Sequence, residues 1–294
     1  MTGQRADAGY VVENSPEGRT LVVTGPWSSE GAEVLARGEA DGLVLNYARG
    51  FSERSLEFLD GWGVRRLTVL DRTITDLEPI GRLGDSLEAL SVQAAPRSEL
   101  DLGALPHLRS VAGEWELVGE TLGRLDALRS VITWRFGEAD LHAFRDHVCL
   151  ERLTVKEAPN LESLSGVADL PELAVLGVFL ARRLRDIGDV GVLSSSLREL
   201  EFEDCPSIGE LDDVVPLAGL RFLGFSDGGE IASLAPVASL KHLTVFHAWG
   251  STRIVDGDLS PLAALPRLGE IRMRDRRGYK PRVCDLVAAD KPHS

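Results

Sequence analysis

The sequence predicts an α/β solenoid, a stack of short parallel strands joined by return segments, and three observations predict it. First, a six-residue pattern with apolar residues at positions 1, 4 and 6 recurs eleven times. Its starts fall at residues 40, 64, 87, 108, 128, 150, 173, 197, 220, 240 and 268. The mean interval is about 23 residues, a length that holds one strand and one return. Second, positions 4 and 6 alternate with polar positions 3, 5 and 7, the period of a strand with one buried face. LERLTVK (150–156) and LRELEFE (197–203) show it. Third, another apolar cluster follows the strand, as in ELDLGALPHL (99–108), with Pro and Gly marking turns.

The elements follow in order. YVVENSPEGRTLVV (10–23) reads as two short strands around a Ser-Pro-Glu-Gly turn, a hairpin cap. SSEGAEVLARG (28–38) reads as a helix with Ser28 or Ser29 at its N-cap. Residues 1–39 thus form an N-terminal cap, 40–275 the repeats, and 276–294 a C-terminal cap with a mobile tail. SERSLEFLDGW (52–62) is expected to be a helix ending at Gly61, and EADLHAFRDHV (138–148) a helix on the outer side. Gly113 and Thr133 at position 6 are expected to weaken two central units. A single unit cannot bury its own leucines, so stacked units must share one core. Side chains at positions 3, 5, 7 and 8 then point out of the sheet.

ITDLEPI (74–80), IASLAPVASLKHL (231–243) and DLSPLAALPRL (258–268) resemble the internalin-like subclass of bacterial leucine-rich-repeat proteins. APNLESLSGVADLPEL (158–173) and CPSIGEL (205–211) resemble the variant with Cys or a small residue after the strand. The resemblance covers roughly residues 40–275. It implies a leucine-rich-repeat horseshoe with a parallel β-sheet on its concave face. For function it implies only recognition of a protein or peptide partner on that face, since folds do not carry functions. The family usually places Asn at position 9, where side-chain amides satisfy the turns. Here that position reads Arg72, Ala95, Glu116, Phe136, Ala158, Ala181, Cys205, Gly228 and Ala248, so the turn amides and carbonyls need other partners.

Composition narrows the function classes. With 44% hydrophobic and 27% charged residues, the chain is globular rather than disordered. A net charge of −14 repels phosphate backbones and disfavours nucleic-acid binding. No run of eighteen apolar residues and no basic-then-apolar leader is present, so neither membrane insertion nor secretion is expected. Three widely spaced cysteines, Cys149, Cys205 and Cys284, fit a reducing cytoplasm. Only four of the 32 basic residues are lysine, a bias that suggests a bacterium with a GC-rich genome.

Catalytic signatures are sparse: GxxxxGK[ST] and HExxH do not occur. His142 and His147 are five apart, off the spacing that turns two ligands to one face. Asp256-Gly257-Asp258 lacks the other ligands of a calcium loop and reads as a capped turn. No catalytic residue, metal ligand or cofactor site is therefore assigned, and the chain is read as a monomeric, non-enzymatic recognition module, a regulator or inhibitor of another protein. The alternatives are a hydrolase or metal-dependent enzyme using carboxylates and histidines of the concave face, and a cell-surface adhesin.

The candidate contact residues are those with the wrong parity for burial. Trp134, Phe179, Phe222 and Phe246 fall at strand positions that face outward, with Trp115 and His247 at position 8 and His242 at position 3. Glu199, Glu201 and Glu203 line one strand face, where like charges repel and folding gains nothing, and Lys156 and Arg135 stand nearby. Exposed aromatics among charges match the composition of binding hot spots. Packing on neighbouring strands, or a solvated acidic stripe, are the structural alternatives. The arginine-rich last unit (Arg267, Arg272, Arg274, Arg276, Arg277, Lys280, Arg282) is a further candidate, for an acidic surface or for the Glu stripe of another copy.

The repeat itself is testable. Leu153 occupies position 4, so Leu153→Ala is expected to cost about 2–5 kcal/mol through the cavity it leaves, measured by denaturant unfolding. A cost below about 0.5 kcal/mol would place Leu153 on the surface and contradict the register.

Overall fold

The structure is a computed structural model and describes residues 9–287. It divides into two compact units, Met1–Val131 and Ile132–Ser294. The expected tail beyond residue 287 lies outside the described residues.

The first unit begins with the expected antiparallel hairpin of β1 (Tyr10–Ser15) and β2 (Gly18–Val23). Helix α1 (Ser29–Ala36) follows, capped by Ser28, whose hydroxyl accepts from the Gly31 amide at 3.2 Å. From β2 a parallel ladder runs through β3 (Gly42–Asn46), β4 (Arg66–Leu70), β5 (Ala89–Gln93) and β6 (Ser110–Glu114). Leu43, Leu67, Leu90 and Val111 stand opposite one another along it, and each is buried.

Three expectations change in detail. Residues 52–62 hold no helix. Phe51, Leu56 and Leu59 are all buried, and their spacings of five and three residues do not share one helical face. The chain therefore runs irregularly, with a bend at Arg54, to Leu56 and makes one turn, in which the Leu59 amide bonds the Leu56 carbonyl at 2.9 Å. Residues 138–148 contain only a 3-10 turn, His142–Phe144. Leu141, Phe144, His147 and Leu150 are buried every third residue, the period of a 3-10 turn and not of an α-helix. Gly113 is not a weak point. Val118 of helix α2 (Trp115–Leu122) fills its place, and a Cβ at residue 113 would lie 2.6 Å from Val118 Cγ1.

Strand β7 (Ser130–Trp134) lies at the division in the chain. In the second unit, β8 (Arg152–Lys156), β9 (Val175–Phe179), β10 (Glu199–Glu203) and β11 (Phe222–Ser226) are parallel and in strict register. Beside the turns, β12 (Glu230–Ile231) pairs with a later two-residue strand, β14 (Arg253–Ile254). The main sheet continues through β13 (Val245–Ala248) and β15 (Glu270–Met273), with the short helix α3 (Ser260–Ala263) between these and α4 (Val283–Val287) after them.

Strand β13 corrects the repeat phase. Phe246 pairs with Leu223 and Ile271, so Phe246, not Leu243, holds position 4, and this repeat starts at Leu243. Phe246 is fully buried. The starts become 220, 243 and 268, and the uneven intervals of 20 and 28 disappear.

The turns that lack asparagine are closed by other means. Position 8 adopts left-handed backbone at Arg135, Glu157, Leu180, Asp204 and Asp227, with φ between 50° and 59°, and at Gly250 with φ 73°. This reverses the chain while the position-8 amide still bonds forward, as from Leu180 to the Glu203 carbonyl and from Asp204 to the Ser226 carbonyl. At Cys205 the buried thiol donates to the Val178 carbonyl, 3.6 Å away, and burial pushes its pKa up to about 11. Thr252 donates its hydroxyl to the Phe225 carbonyl and accepts from the Gly228 amide at 2.9 Å. Val178 and Phe225 both occupy position 6, two repeats apart, so thiol and hydroxyl serve equivalent carbonyls.

Thr252 is 3% exposed, so losing its hydroxyl strands a buried amide and a buried carbonyl. Thr252→Val is expected to destabilise the chain by about 1–3 kcal/mol in urea unfolding, while Thr252→Ser keeps most of that stability. Equal losses for both variants would assign Thr252 a packing role only.

Candidate functional site

The regular register of the second unit converts sequence position into rows of side chains on the open face of its sheet. Position 3 runs Arg152, Val175, Glu199, Phe222, Val245, Glu270 across β8 to β15. Position 5 runs Thr154, Gly177, Glu201, Gly224, His247, Arg272. At position 7 Lys156, Phe179, Glu203 and Ser226 stand side by side. In the corrected phase Trp249 and Arg274 take this position in the last two repeats.

The two glycines decide the local shape. A Cβ on Gly177 would meet the Phe179 ring at 2.8 Å, and one on Gly224 would meet the Phe222 ring at 3.1 Å. Each ring therefore folds along its own strand and lies over a glycine. Both glycines flank Glu201 in the ladder. The result is a half-buried carboxylate between two half-buried phenyl rings.

Toward β15 a hollow of about 540 Å³ opens between Glu201 and Glu203 on one side and His247, Trp249 and Arg272 on the other. His247 meets the Phe222 ring edge-on, with centroids 4.9 Å apart, and its Nε2 lies 3.0 Å from Glu270 Oε1. Glu270 also binds Arg272 at 2.7 Å, and its hydrogen bond to His247 holds its carboxyl below the usual range. Arg274 lies over the Trp249 ring at 5.5 Å, and Lys156 over the Phe179 ring at 5.1 Å. Among the described residues no group of three His, Cys, Asp or Glu side chains is placed to hold a metal ion, and no helix is long and apolar enough to cross a membrane.

The face thus gathers Lys156, Phe179, Glu199, Glu201, Glu203, Phe222 and His247, with His247 at position 5 rather than 8. Five expected contact residues are not among them. Phe246 packs in the core, because the phase shift gives it the parity of a buried leucine. His242 precedes the repeat start, outside the strand, where its Nδ1 meets Arg267 at 3.3 Å. Trp134 is half-buried on β7, and its indole nitrogen is buried with no hydrogen-bond partner among the described residues. Arg135 follows it as an exposed left-handed residue. Trp115 belongs to the first unit, where it opens α2 and covers Gly119. Trp249, 53% exposed, is the aromatic residue that the misplaced phase hid.

No family model and no curated protein matches the sequence. Solved structures do match. An internalin of Listeria monocytogenes is 16% identical and superposes with a TM-score of 0.56 over 79% of this chain and 68% of its own. A leucine-rich-repeat protein of Leptospira interrogans is 15% identical, with a TM-score of 0.55 over 85% of this chain and 72% of its own. At this identity the likeness is one of fold, and the fold is the internalin-like leucine-rich-repeat solenoid that the sequence motifs resemble.

Burial raises the Glu201 carboxyl above its ordinary value, with Glu203 and Glu199 adding to the effect. The folded chain then holds this proton more tightly than the unfolded chain, and stability falls as pH rises from the ordinary glutamate range through the raised value. Glu201→Gln is expected to raise the thermal midpoint at pH 7, with a gain that shrinks toward pH 4. A gain independent of pH would show that charge burial is not its cause.

Proposed function

We propose that this chain is a non-enzymatic, cytoplasmic recognition module that binds a protein or peptide partner on the open sheet face of its second unit. The observation that carries the reading is the position-7 line with its neighbours. Phe179, Phe222 and Trp249 present ring area there among the charges of Lys156, Glu203 and Arg274, outside the core. A folding chain gains little from leaving Trp249 exposed beside two half-buried rings on one face, whereas flat rings in a charged setting are the usual anchors of an interface. The fold supports the same reading, since a rigid parallel sheet holds such anchors at fixed spacing. Cys205 serves as a reduced hydrogen-bond donor inside a turn, which fits a reducing compartment.

The test is site-specific photo-crosslinking in the native host, with the probe at Trp249, at Phe179 or at the exposed outer residue Val215. Adducts are expected from the first two sites and not from Val215. With the captured partner in hand, Trp249→Ala is expected to weaken binding at least about thirtyfold, or about 2 kcal/mol. Folding stability should change by no more than about 0.5 kcal/mol. Adducts from Val215 alone would move the interface to the outer surface and end the proposal.

A further inference from the structure

The charge balance of this face identifies the chemistry of its partner, on the premise that the face is a protein-recognition surface. Several cations elsewhere are engaged between repeats. Arg65–Glu88, Arg124–Asp101, Arg185–Glu162 and Arg253–Glu230 each join residues 23 apart, one repeat to the next. On the face itself, Arg272 is taken by Glu270, Arg274 by Trp249 and Lys156 by Phe179, and Arg152 stands in the same row as Glu199 but two strands away. Glu199, Glu201 and Glu203 have no cationic group within ion-pair distance among the described residues, although all three point from one strand.

Aromatic faces carry negative charge density and attract cations, most strongly a flat guanidinium. Glu201 stands between the rings of Phe179 and Phe222, so a cation inserted there meets a carboxylate below and rings beside it. Spacing adds a further match. Alternate residues of β10 are about 6.7 Å apart, which is also the repeat of side chains on one face of any extended peptide. We infer that the partner presents an extended segment with arginines at alternate positions, Arg-x-Arg-x-Arg, and that this segment lies along β10 with its guanidinium groups on Glu199, Glu201 and Glu203. The central arginine occupies the slot between Phe179 and Phe222, and the hollow beside Trp249 takes the flanking side chain. Burial holds the Glu201 carboxyl above its ordinary value in the free protein, and an arriving guanidinium reverses that strain.

The probe is a fluorescein-labelled hexapeptide, Arg-Gly-Arg-Gly-Arg-Gly, titrated with the full chain by anisotropy in 150 mM salt. Comparison peptides are Arg-Arg-Arg-Gly-Gly-Gly, of equal charge, and the lysine version of the alternating peptide. The alternating arginine peptide is expected to bind at least threefold tighter than either. Glu201→Gln is expected to weaken it at least tenfold and Phe222→Leu severalfold, while Glu210→Gln, on an exposed return segment, leaves it unchanged. Because Glu201→Gln is expected to stabilise the fold at pH 7, lost binding with retained thermal stability separates recognition from unfolding.

Equal affinity for the three peptides, or equal losses from Glu201→Gln and Glu210→Gln, would reduce the effect to general attraction by a −14 chain and overturn the inference. Sedimentation showing a self-associated chain that Glu201→Gln dissociates would make a second copy the occupant, and would overturn it also. Absence of peptide binding with crosslinks still forming at Trp249 and Phe179 would remove this inference alone and leave the recognition surface standing.

Discussion

No repeat of this chain buries its own apolar side chains, and everything else follows from that constraint. Leu153 is covered by Leu176, Leu176 by Leu200, Leu200 by Leu223 and Leu223 by Phe246, each fully buried against the next in ladder register. Shifting one strand by a single residue would turn its buried set to water, so the core specifies register without help from any one contact. Once register is set, residues of opposite parity have no freedom of placement. The rows that hold Glu201 between Gly177 and Gly224, and Phe179 beside Glu203, are consequences of leucine packing on the other side of the sheet.

Polar interactions complete the repeat rather than drive it. The arginine–carboxylate pairs between equivalent positions are mostly exposed, and pairs of that kind contribute about 0.2–1 kcal/mol each. The turn contacts matter more per group, because they lie where water does not reach. A buried backbone carbonyl or amide demands a partner, and Cys205 and Thr252 supply one from different chemistry at the same step of the stack. Two turns without asparagine are thus closed by a thiol and by a hydroxyl.

The fold was legible because eleven copies of one pattern vote on one period. Legibility failed where two phases of the pattern look alike. Leu240, Leu243 and Phe246 are spaced by three, and Leu217, Leu220 and Leu223 by the same three, so LKHLTV mimics a repeat start while the true start is LTVFHA. The interval of 28 residues is the available signal, since an interval of 20 also separates the starts at 108 and 128. That slip turned Phe246 outward on paper, displaced His242 and His247 by three positions and hid Trp249. Helix α2 was missed for a different reason. Trp115, Val118 and Leu122 carry helical spacing, but the strand template extended over Trp115, and Gly113 reads as a defect until Val118 is seen in its place. The slot around Glu201 needs both the ladder and the direction in which each ring folds, and a one-dimensional pattern contains only the first.

The glycines beneath Phe179 and Phe222 have a kinetic consequence. A phenyl ring on a flat strand surface normally samples several rotamers and must surrender that freedom when a partner covers it, at about 0.5–1.5 kcal/mol for each side chain immobilised. Here the vacant Cβ positions at 177 and 224 give each ring a bed of its own shape, so most of that entropy is lost during folding and not during association. On the proposed reading, a surface prepared in this way docks as a rigid body, and its selectivity resides in how slowly a bound segment leaves rather than in how fast it arrives.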